Sequence, residues 1–448
     1  MRGALVAAAV AVAAVAGVIV AVVVSSGSGS EHAAPGSTAA STPAATTATP
    51  TGTGATTRTG AATTATTATT TAPTTSVRPP PPPAPGSSRA RSLIVGVVDD
   101  ALAQRDPGFA RSQVDLSHRA GFGAAMVSAT WKRGQRRPSA GLVHVLRNVA
   151  AAARQDHMRL FVMVWHGLGP ATPRRLGDRA AFAAFAAHVA QAVPHVYAIV
   201  VGNEPNLNTF WKPQFGPGGR DLAAVGYERL LADCYDAIRR TAPRVLVLGG
   251  ALSPRGADRP HGTRPTHSPT SFIRDLGRAY RASGRDRPLM DGFAMHPYMQ
   301  FSRVSPREGH PRNTSITIAD YPKLVALLDD AFRGTVQPGA RLPVYYTEFG
   351  VQTAVPRAKR SFYTDAGSPA SADRVGFGTQ ADYYRQALAL AYCQPTVKAL
   401  FIFHTFDEAD LAGWQSGLYF ADRTPKPSLR PFRRAVADLR AGKLTTCR

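Results

Sequence analysis

Residues 199–206 read IVVGNEPN: three β-branched residues and a glycine lead directly into an amide, a carboxylate and a proline. A buried carboxylate is costly unless it is paired or has a chemical task. A similar pattern returns at residues 343–350, PVYYTEFG, where an apolar run again leads to a glutamate. Each stretch predicts a buried strand with a charged group at its tip, and the surrounding chain indicates which sheet these strands form.

Apolar runs of this kind recur after residue 91, each followed by Gly, Pro or polar residues and then by a segment of helical period. The runs are continuously apolar, which is typical of parallel strands covered on both faces. Eight strand–helix units in residues 92–448 predict an α/β fold of the (β/α)8 TIM barrel type. An open doubly wound sheet is the alternative, but no GxGxxG follows the first run. The runs occupy residues 93–98, 124–131, 160–166, 197–204, 245–251, 291–298, 343–350 and 399–406.

The N-terminal region has a different composition from the predicted barrel. Residues 4–24 carry no charge, and as a helix they span about 31 Å, close to the thickness of a bilayer core. Residues 1–24 are therefore predicted to be a transmembrane signal anchor, with a cleaved signal peptide as the alternative. Arg2 favours a cytoplasmic N-terminus and an extracytoplasmic remainder. Residues 25–91, rich in Ser, Thr, Ala and Pro, are predicted to be a disordered stalk because they can bury too little.

The chain is strongly basic, with a formal net charge of +23. The first 90 residues hold four Arg and one Glu, so the predicted barrel carries +20 of this charge. Attraction to acidic polymers outside the cell is one interpretation. An arginine-rich composition without a binding role is the other, and the scarcity of lysine, seven of 52 basic residues, favours it. The sequence has no basic run interleaved with aromatic residues, the pattern that would indicate nucleic-acid binding.

Cysteine usage and short motifs exclude several classes of chemistry. Cys234 falls on an apolar helical face and is expected to be a buried thiol. Cys393 and Cys447, near the ends of late helices, could form a disulfide in an oxidising compartment. The sequence contains no HExxH motif, which would predict a metal site, and no GxSxG elbow, which would predict a serine hydrolase. No cofactor is expected.

In a barrel of this type, catalytic side chains come from the C-terminal ends of the strands. Glu204 ends the fourth run and Glu348 lies at the end of the seventh, so the two can converge across the barrel mouth. Two carboxyl groups about 5 Å apart are what a retaining glycosidase needs. Asp99 and Asp100, at the end of the first run, are instead expected to accept backbone N–H groups of the first loop.

Two motifs carry a family resemblance. Asn-Glu-Pro at 203–205 and Thr-Glu-Phe-Gly at 347–350, three strands apart, together resemble the clan of (β/α)8 retaining glycoside hydrolases. The clan includes the cellulase-like family 5 and the β-xylosidase-like family 39. The resemblance implies that Glu204 is the acid/base, that Glu348 is the nucleophile and that Asn203 hydrogen-bonds the sugar 2-hydroxyl.

Further binding residues follow from the same resemblance. His296 and Tyr298 match the strand-6 position, where a tyrosine hydroxyl orients the nucleophile, and His166 resembles a strand-3 histidine that contacts sugar hydroxyls. Trp211 and Trp414 lie in loops and are candidates for stacking on a sugar face, with core packing as the alternative. The chain departs from the clan in having no arginine at the ends of its first two runs.

The sequence thus predicts a membrane-tethered, extracytoplasmic retaining β-glycosidase that acts on a polysaccharide or oligosaccharide, assumed to be monomeric. A catalytically inactive barrel that binds glycans or anchors the cell wall is one alternative, and a transglycosylase is another. The loops at 252–270, 299–319 and 351–378 are expected to determine the substrate, because specificity lies in loops rather than in the fold.

Overall fold

The computed structural model describes residues 92–364, residues 373–444 and Cys447. In this part of the chain eight parallel strands form one closed barrel in sequential order. The predicted (β/α)8 barrel is confirmed. The anchor predicted at residues 1–24 and the stalk predicted at 25–91 lie outside the described residues. The strands are β1 Ile94–Val98, β2 Ala124–Thr130, β3 Arg159–Trp165, β4 Val196–Val201, β5 Leu246–Leu252, β6 Gly292–Met295, β7 Val344–Phe349 and β8 Val397–Phe403.

An α-helix follows each strand. Several helices begin at a side chain that accepts a backbone N–H of the first turn: Asp106 starts α1, Ser139 starts α2 and Asp221 starts α4. Such caps fix where a loop ends and a helix begins. The helices are α1 Pro107–Ala120, α2 Ala140–Gln155, α3 Leu176–Ala192, α4 Leu222–Thr241, α5 Pro269–Ala282, α6 Tyr321–Phe332, α7 Phe377–Cys393 and α8 Leu429–Arg440.

The core has two layers, which explains why the strand runs are apolar throughout. One layer packs the outward face of the strands against the helices. The other fills the inside of the barrel, where the ring of Phe161 contacts Phe401 at 4.8 Å and Tyr197 at 5.1 Å between ring centroids. Because side chains fill the interior, a ligand can bind only at a barrel end.

The cysteines behave as the sequence indicated. Cys393, at the end of α7, forms a disulfide with Cys447, with 5.3 Å between the Cα atoms. Cys234 on α4 is a buried free thiol. No helix in the described ranges is long and apolar enough to cross a bilayer.

Candidate active site

The turn that follows β4 has an unusual backbone. Gly202 has a φ of 80°, and Glu204, a residue that precedes a proline, has a φ of 39°. A positive φ is uncommon for any residue with a Cβ, and strain of this kind, about 1–3 kcal/mol per residue, clusters at functional sites. The Glu204 N–H donates to the carbonyl of Ala251 at 2.9 Å and holds the turn against β5. The barrel therefore fixes Glu204 in a conformation that the local sequence alone would not choose.

Asn206 ties the β4 loop to the β5 loop. Its side-chain amide donates to the carbonyls of Ser253 at 3.2 Å and His267 at 3.0 Å. Its Oδ1 accepts the Ser253 N–H at 2.9 Å. Asn206, the final residue of the NEPN stretch, for which no role was predicted, thus helps to hold Glu204 in place.

The two glutamates converge on one histidine. His296 Nδ1 lies 3.1 Å from Glu204 Oε1 and 3.5 Å from Glu348 Oε2. These two oxygens are therefore at most 6.6 Å apart, and closer unless all three atoms are collinear. The Tyr298 hydroxyl donates to Glu348 Oε2 at 3.0 Å. Two carboxylates 144 residues apart in the sequence thus share one site.

Burial and neighbouring charges set the electrostatics of this group. Burial raises the pKa of Glu348; the charge of His296 opposes this rise, Glu204 adds to it, and the Tyr298 hydrogen bond opposes it. For His296, burial acts to lower the pKa, but the carboxylates of Glu348 and Glu204 outweigh it and raise the pKa above the ordinary value. Burial also raises the pKa of Tyr298 well above its usual range. Tyr298 therefore keeps its proton and acts as a hydrogen-bond donor to Glu348.

These groups open into a cavity of about 150 Å³ at the C-terminal end of the barrel. That volume is many times the roughly 15 Å³ that one water molecule needs. Asn203 lines the cavity, and its Oδ1 is buried without a hydrogen-bond partner, free to meet a ligand hydroxyl. Aromatic side chains suited to the C–H face of a sugar also line it: Trp165, Phe210, Tyr298, Phe403 and Trp414.

Trp414 lines the cavity, as predicted for a sugar-stacking candidate, although it lies in the loop after β8. Its ring packs against Phe403, with 5.5 Å between centroids, and against Tyr298, with 5.2 Å between centroids. Phe403, the last residue of β8, faces the cavity, whereas Phe406 is buried against Tyr419 outside it.

The structure corrects three of the predicted sugar contacts. Trp211 is 2% exposed and packs edge-on against His166 and Tyr227, so it belongs to the core. His166 is also buried, and burial lowers its pKa to about 4. Neither residue lines the cavity. His296 is fully buried beneath the two glutamates, so it positions them and does not contact the ligand.

The reason for the His166 error is the twofold period of a strand. Met163 and Trp165 on β3 point into the barrel, so the next residue, His166, points outward. The end of an apolar run locates the end of its strand to within three residues, but a single residue decides which way a side chain faces.

The expectation that the aspartates after β1 accept backbone N–H groups of the first loop is confirmed for Asp99, whereas Asp100 accepts a backbone N–H of β2 instead. Asp99 accepts the N–H groups of Ala101 at 2.8 Å and Thr405 at 2.9 Å. Asp100 accepts the N–H of Ser128 at 2.6 Å. Both carboxylates close the ring of loops around the cavity.

Several lining residues were not predicted, because they lie outside the apolar runs from which the strands were inferred. Arg255 follows β5 by three residues, inside the loop that was expected to determine the substrate. The others have no motif that singles them out and include Ser253, Gln300, Asp373 and Glu408. In the part of the chain that the structure describes, no three His, Cys, Asp or Glu side chains form a group that could hold a metal ion.

Comparison with known proteins finds no match among protein-family models and none among curated sequences. Solved structures do match. A family 39 glycoside hydrolase from the gut symbiont Bacteroides cellulosilyticus WH2 aligns with a TM-score of 0.54 and 19% identity over 78% of this chain. A family 5 subfamily 18 variant from Streptomyces cattleya, in complex with Manβ1-4GlcNAc, aligns with a TM-score of 0.51 and 18% identity, covering 78% of this chain and 81% of that one.

A family 5 subfamily 18 protein from Bifidobacterium longum subsp. infantis gives a TM-score of 0.51 at 13% identity, covering 78% of this chain and 79% of that one. The chain spans 64% of the length of the family 39 structure. At these identities the likeness establishes the fold. The predicted resemblance to the clan of families 5 and 39 is confirmed at that level.

Proposed function

We propose that this protein is a retaining β-glycosidase in which Glu348 is the nucleophile and Glu204 the acid/base. The observation that carries the proposal is the His296 bridge, which limits the two carboxylate oxygens to a separation of at most 6.6 Å. Retaining enzymes hold their carboxyl groups about 5–5.5 Å apart, whereas inverting enzymes need about 6.5–9.5 Å to admit a water molecule between carboxylate and sugar. The geometry favours the first arrangement.

In the proposed mechanism, a Glu348 carboxylate oxygen attacks the anomeric carbon as the glycosidic bond breaks, while Glu204 gives its proton to the departing oxygen. Water then attacks the resulting glycosyl ester, Glu204 takes a proton from that water, and Glu348 leaves as a carboxylate. Tyr298 and His296 fix the Glu348 carboxylate, since both approach its Oε2. Asn203 Oδ1 would accept a hydrogen bond from the sugar 2-hydroxyl.

Two further observations support the proposed substrate class and the proposed location outside the cytoplasm. The fold neighbours are glycoside hydrolases, and one was crystallised with Manβ1-4GlcNAc, so β-mannosides belong in the first substrate panel. The Cys393–Cys447 disulfide supports action outside the cytoplasm, because such bonds persist in oxidising compartments. Tethering by residues 1–24 remains part of the proposal.

The test uses the full-length chain and a panel of activated aryl β-glycosides. Glu348→Gln is expected to abolish turnover. Glu204→Gln is expected to retain some turnover, which azide increases, because an activated leaving group needs little acid assistance and azide needs no base. Glu308→Gln, an exposed glutamate in the β6 loop, is the matched control and should not change the rate.

The stereochemistry of the product tests the mechanism separately. Proton NMR during hydrolysis should show the β-anomer appearing first. An α-anomer would exclude double displacement, and unchanged rates in either glutamate variant would exclude the assigned pair.

A further inference from the structure

Arg255 is a cation in the cavity for which the described residues supply no hydrogen-bond or ion-pair partner. It is the sole Lys or Arg among the lining residues that the structure describes. Its Nη1 atom is buried and has no hydrogen-bond partner, and the guanidinium makes no ion pair with the described acidic residues. Burial lowers its pKa, although the charges of Glu204 and Asp373 oppose that effect. A guanidinium that is partly buried, with one nitrogen shielded from water and unpaired, is costly, so its partner is expected to come from outside the described residues.

The carboxylates of the cavity are engaged elsewhere. Asp373 accepts the N–H of Ser302 on both oxygens, at 2.7 and 2.9 Å. Glu408 accepts the N–H of Trp414 at 3.0 Å. The two aspartates after β1 bind backbone N–H groups, and the two catalytic candidates bind His296 and Tyr298, as described above. Arg255 is therefore the charged group of this cavity that still needs a partner.

The loops around the same end of the barrel add positive charge. The β2–α2 loop carries four basic residues and no acidic one, and the β3–α3 loop carries two more. All six are exposed, and together they would attract and orient an anionic polymer. They are Lys132, Arg133, Arg136, Arg137, Arg174 and Arg175.

Resting on the function proposed above, we infer that the glycan substrate carries an anionic substituent, a carboxylate or a sulfate, that pairs with Arg255 next to Glu204. A guanidinium presents parallel N–H donors that match the two oxygens of such a group. A neutral hydroxyl can accept one hydrogen bond, but it leaves the buried charge uncompensated. The arginine excess, for which the sequence favoured a composition effect without a binding role, then contributes to substrate selection.

The experiment measures kcat/KM of the full-length chain on sets of aryl β-glycosides in gluco, galacto and manno configuration. Each set contains the neutral sugar, its 5-carboxyl form and its 6-O-sulfate. We expect the wild type to favour a charged member over its neutral counterpart by about 100-fold, since a site built around a polar group strongly rejects analogues that lack the complementary group. The better of the two anions identifies the substituent.

Arg255→Met should reduce this preference to near parity, mainly through a higher KM for the charged member. Arg255→Lys should keep part of it, because the charge remains and the paired donors do not. Arg333→Met, which removes an exposed arginine beyond α6 at the opposite end of the barrel, is the control and should retain the full preference. A wild type that favours the neutral sugars, or an Arg255→Met variant that loses both activities equally, would overturn the inference.

Failure of the proposed function would look different, because no glycoside would then be cleaved. In that case calorimetric titration with carboxylated, sulfated and neutral oligosaccharides decides the inference. Binding of the anionic oligosaccharides that Arg255→Met weakens about 100-fold would support it. Binding that is equal for neutral and anionic oligosaccharides, or absent for all, would contradict it.

Discussion

Asp407 is a buried carboxylate and Glu348 a largely buried one at the same end of the barrel, and burial raises the pKa of each. Their surroundings differ in one respect. Asp407 forms an ion pair with Lys426 at 2.6 Å, and the Lys426 ammonium also donates to Thr353 Oγ1 and to the Gln415 carbonyl. Glu348 has no Lys or Arg partner among the described residues and instead lies close to a second carboxylate.

The comparison separates a charge arranged for stability from a charge arranged for reaction. Around Asp407 the protein supplies the counter-charge and satisfies the donors of Lys426, so nothing is left for a ligand. Around Glu348 the protein supplies His296 and a tyrosine hydroxyl and leaves the cavity side open. Arg255 follows the same rule on the cationic side: Lys426 has its ion-pair partner within the fold, and Arg255 has none among the residues that the structure describes.

The largest expected effect is a loss of activity without a loss of stability in Glu348→Gln. Because burial raises the pKa of Glu348, ionisation of its carboxyl opposes folding at neutral pH, and a neutral amide relieves that cost. We expect kcat to fall by about 10⁴-fold or more, while the free energy of unfolding in urea at pH 7 is unchanged or higher. A large loss of stability would show that Glu348 is a structural residue like Asp407.

Lys426→Met should produce the opposite pattern. Removing the ammonium leaves Asp407 buried without a counter-ion, which costs about 3–5 kcal/mol of unfolding free energy. The folded fraction should retain its kcat. In the double variant Lys426→Met/Asp407→Asn most of this loss should be recovered. Urea denaturation of the wild type, the two single variants Lys426→Met and Asp407→Asn, and the double variant would show this. Losses that simply add would mean that the two residues are not coupled.

Tyr298→Phe should change the pH dependence of the reaction. The tyrosine hydrogen bond lowers the pKa of Glu348, so removing it raises that pKa and moves the acid limb of the kcat/KM profile to higher pH. We expect Tyr298→Phe to lower kcat/KM at pH 5 by about tenfold, corresponding to about 1.4 kcal/mol. Identical acid limbs in wild type and Tyr298→Phe would contradict the assignment of Glu348 as the ionising nucleophile.

The smallest expected effect distinguishes the two candidate tryptophans. Trp414→Ala should raise KM by about fivefold, since one aromatic face contributes about 0.5–1.5 kcal/mol. Trp211→Phe should leave KM unchanged and lower the midpoint of thermal unfolding, because Trp211 is packed in the core. A KM effect of equal size in both variants would contradict this distinction.

Sequence patterns alone predicted the barrel, because each strand is a local apolar run and parallel strands covered on both faces need no long-range information to be recognised. The same patterns located Glu204, Glu348, Asn203 and Tyr298 at strand tips and gave a reason for a charge at the end of IVVGNEPN. The roles of these residues remain predictions until the variants are measured. The disulfide between Cys393 and Cys447 was also named from the sequence.

Tertiary structure decided which of the side chains near the barrel mouth share the cavity. His166 and Trp211 face the helices, His296 lies beneath the carboxylates, and Arg255 enters from a loop that has no motif. The physical reason is that strand identity depends on nearest neighbours along the chain, whereas side-chain direction depends on the register of eight strands closed into a ring. A single residue of register reverses that direction, and only the closed barrel fixes it.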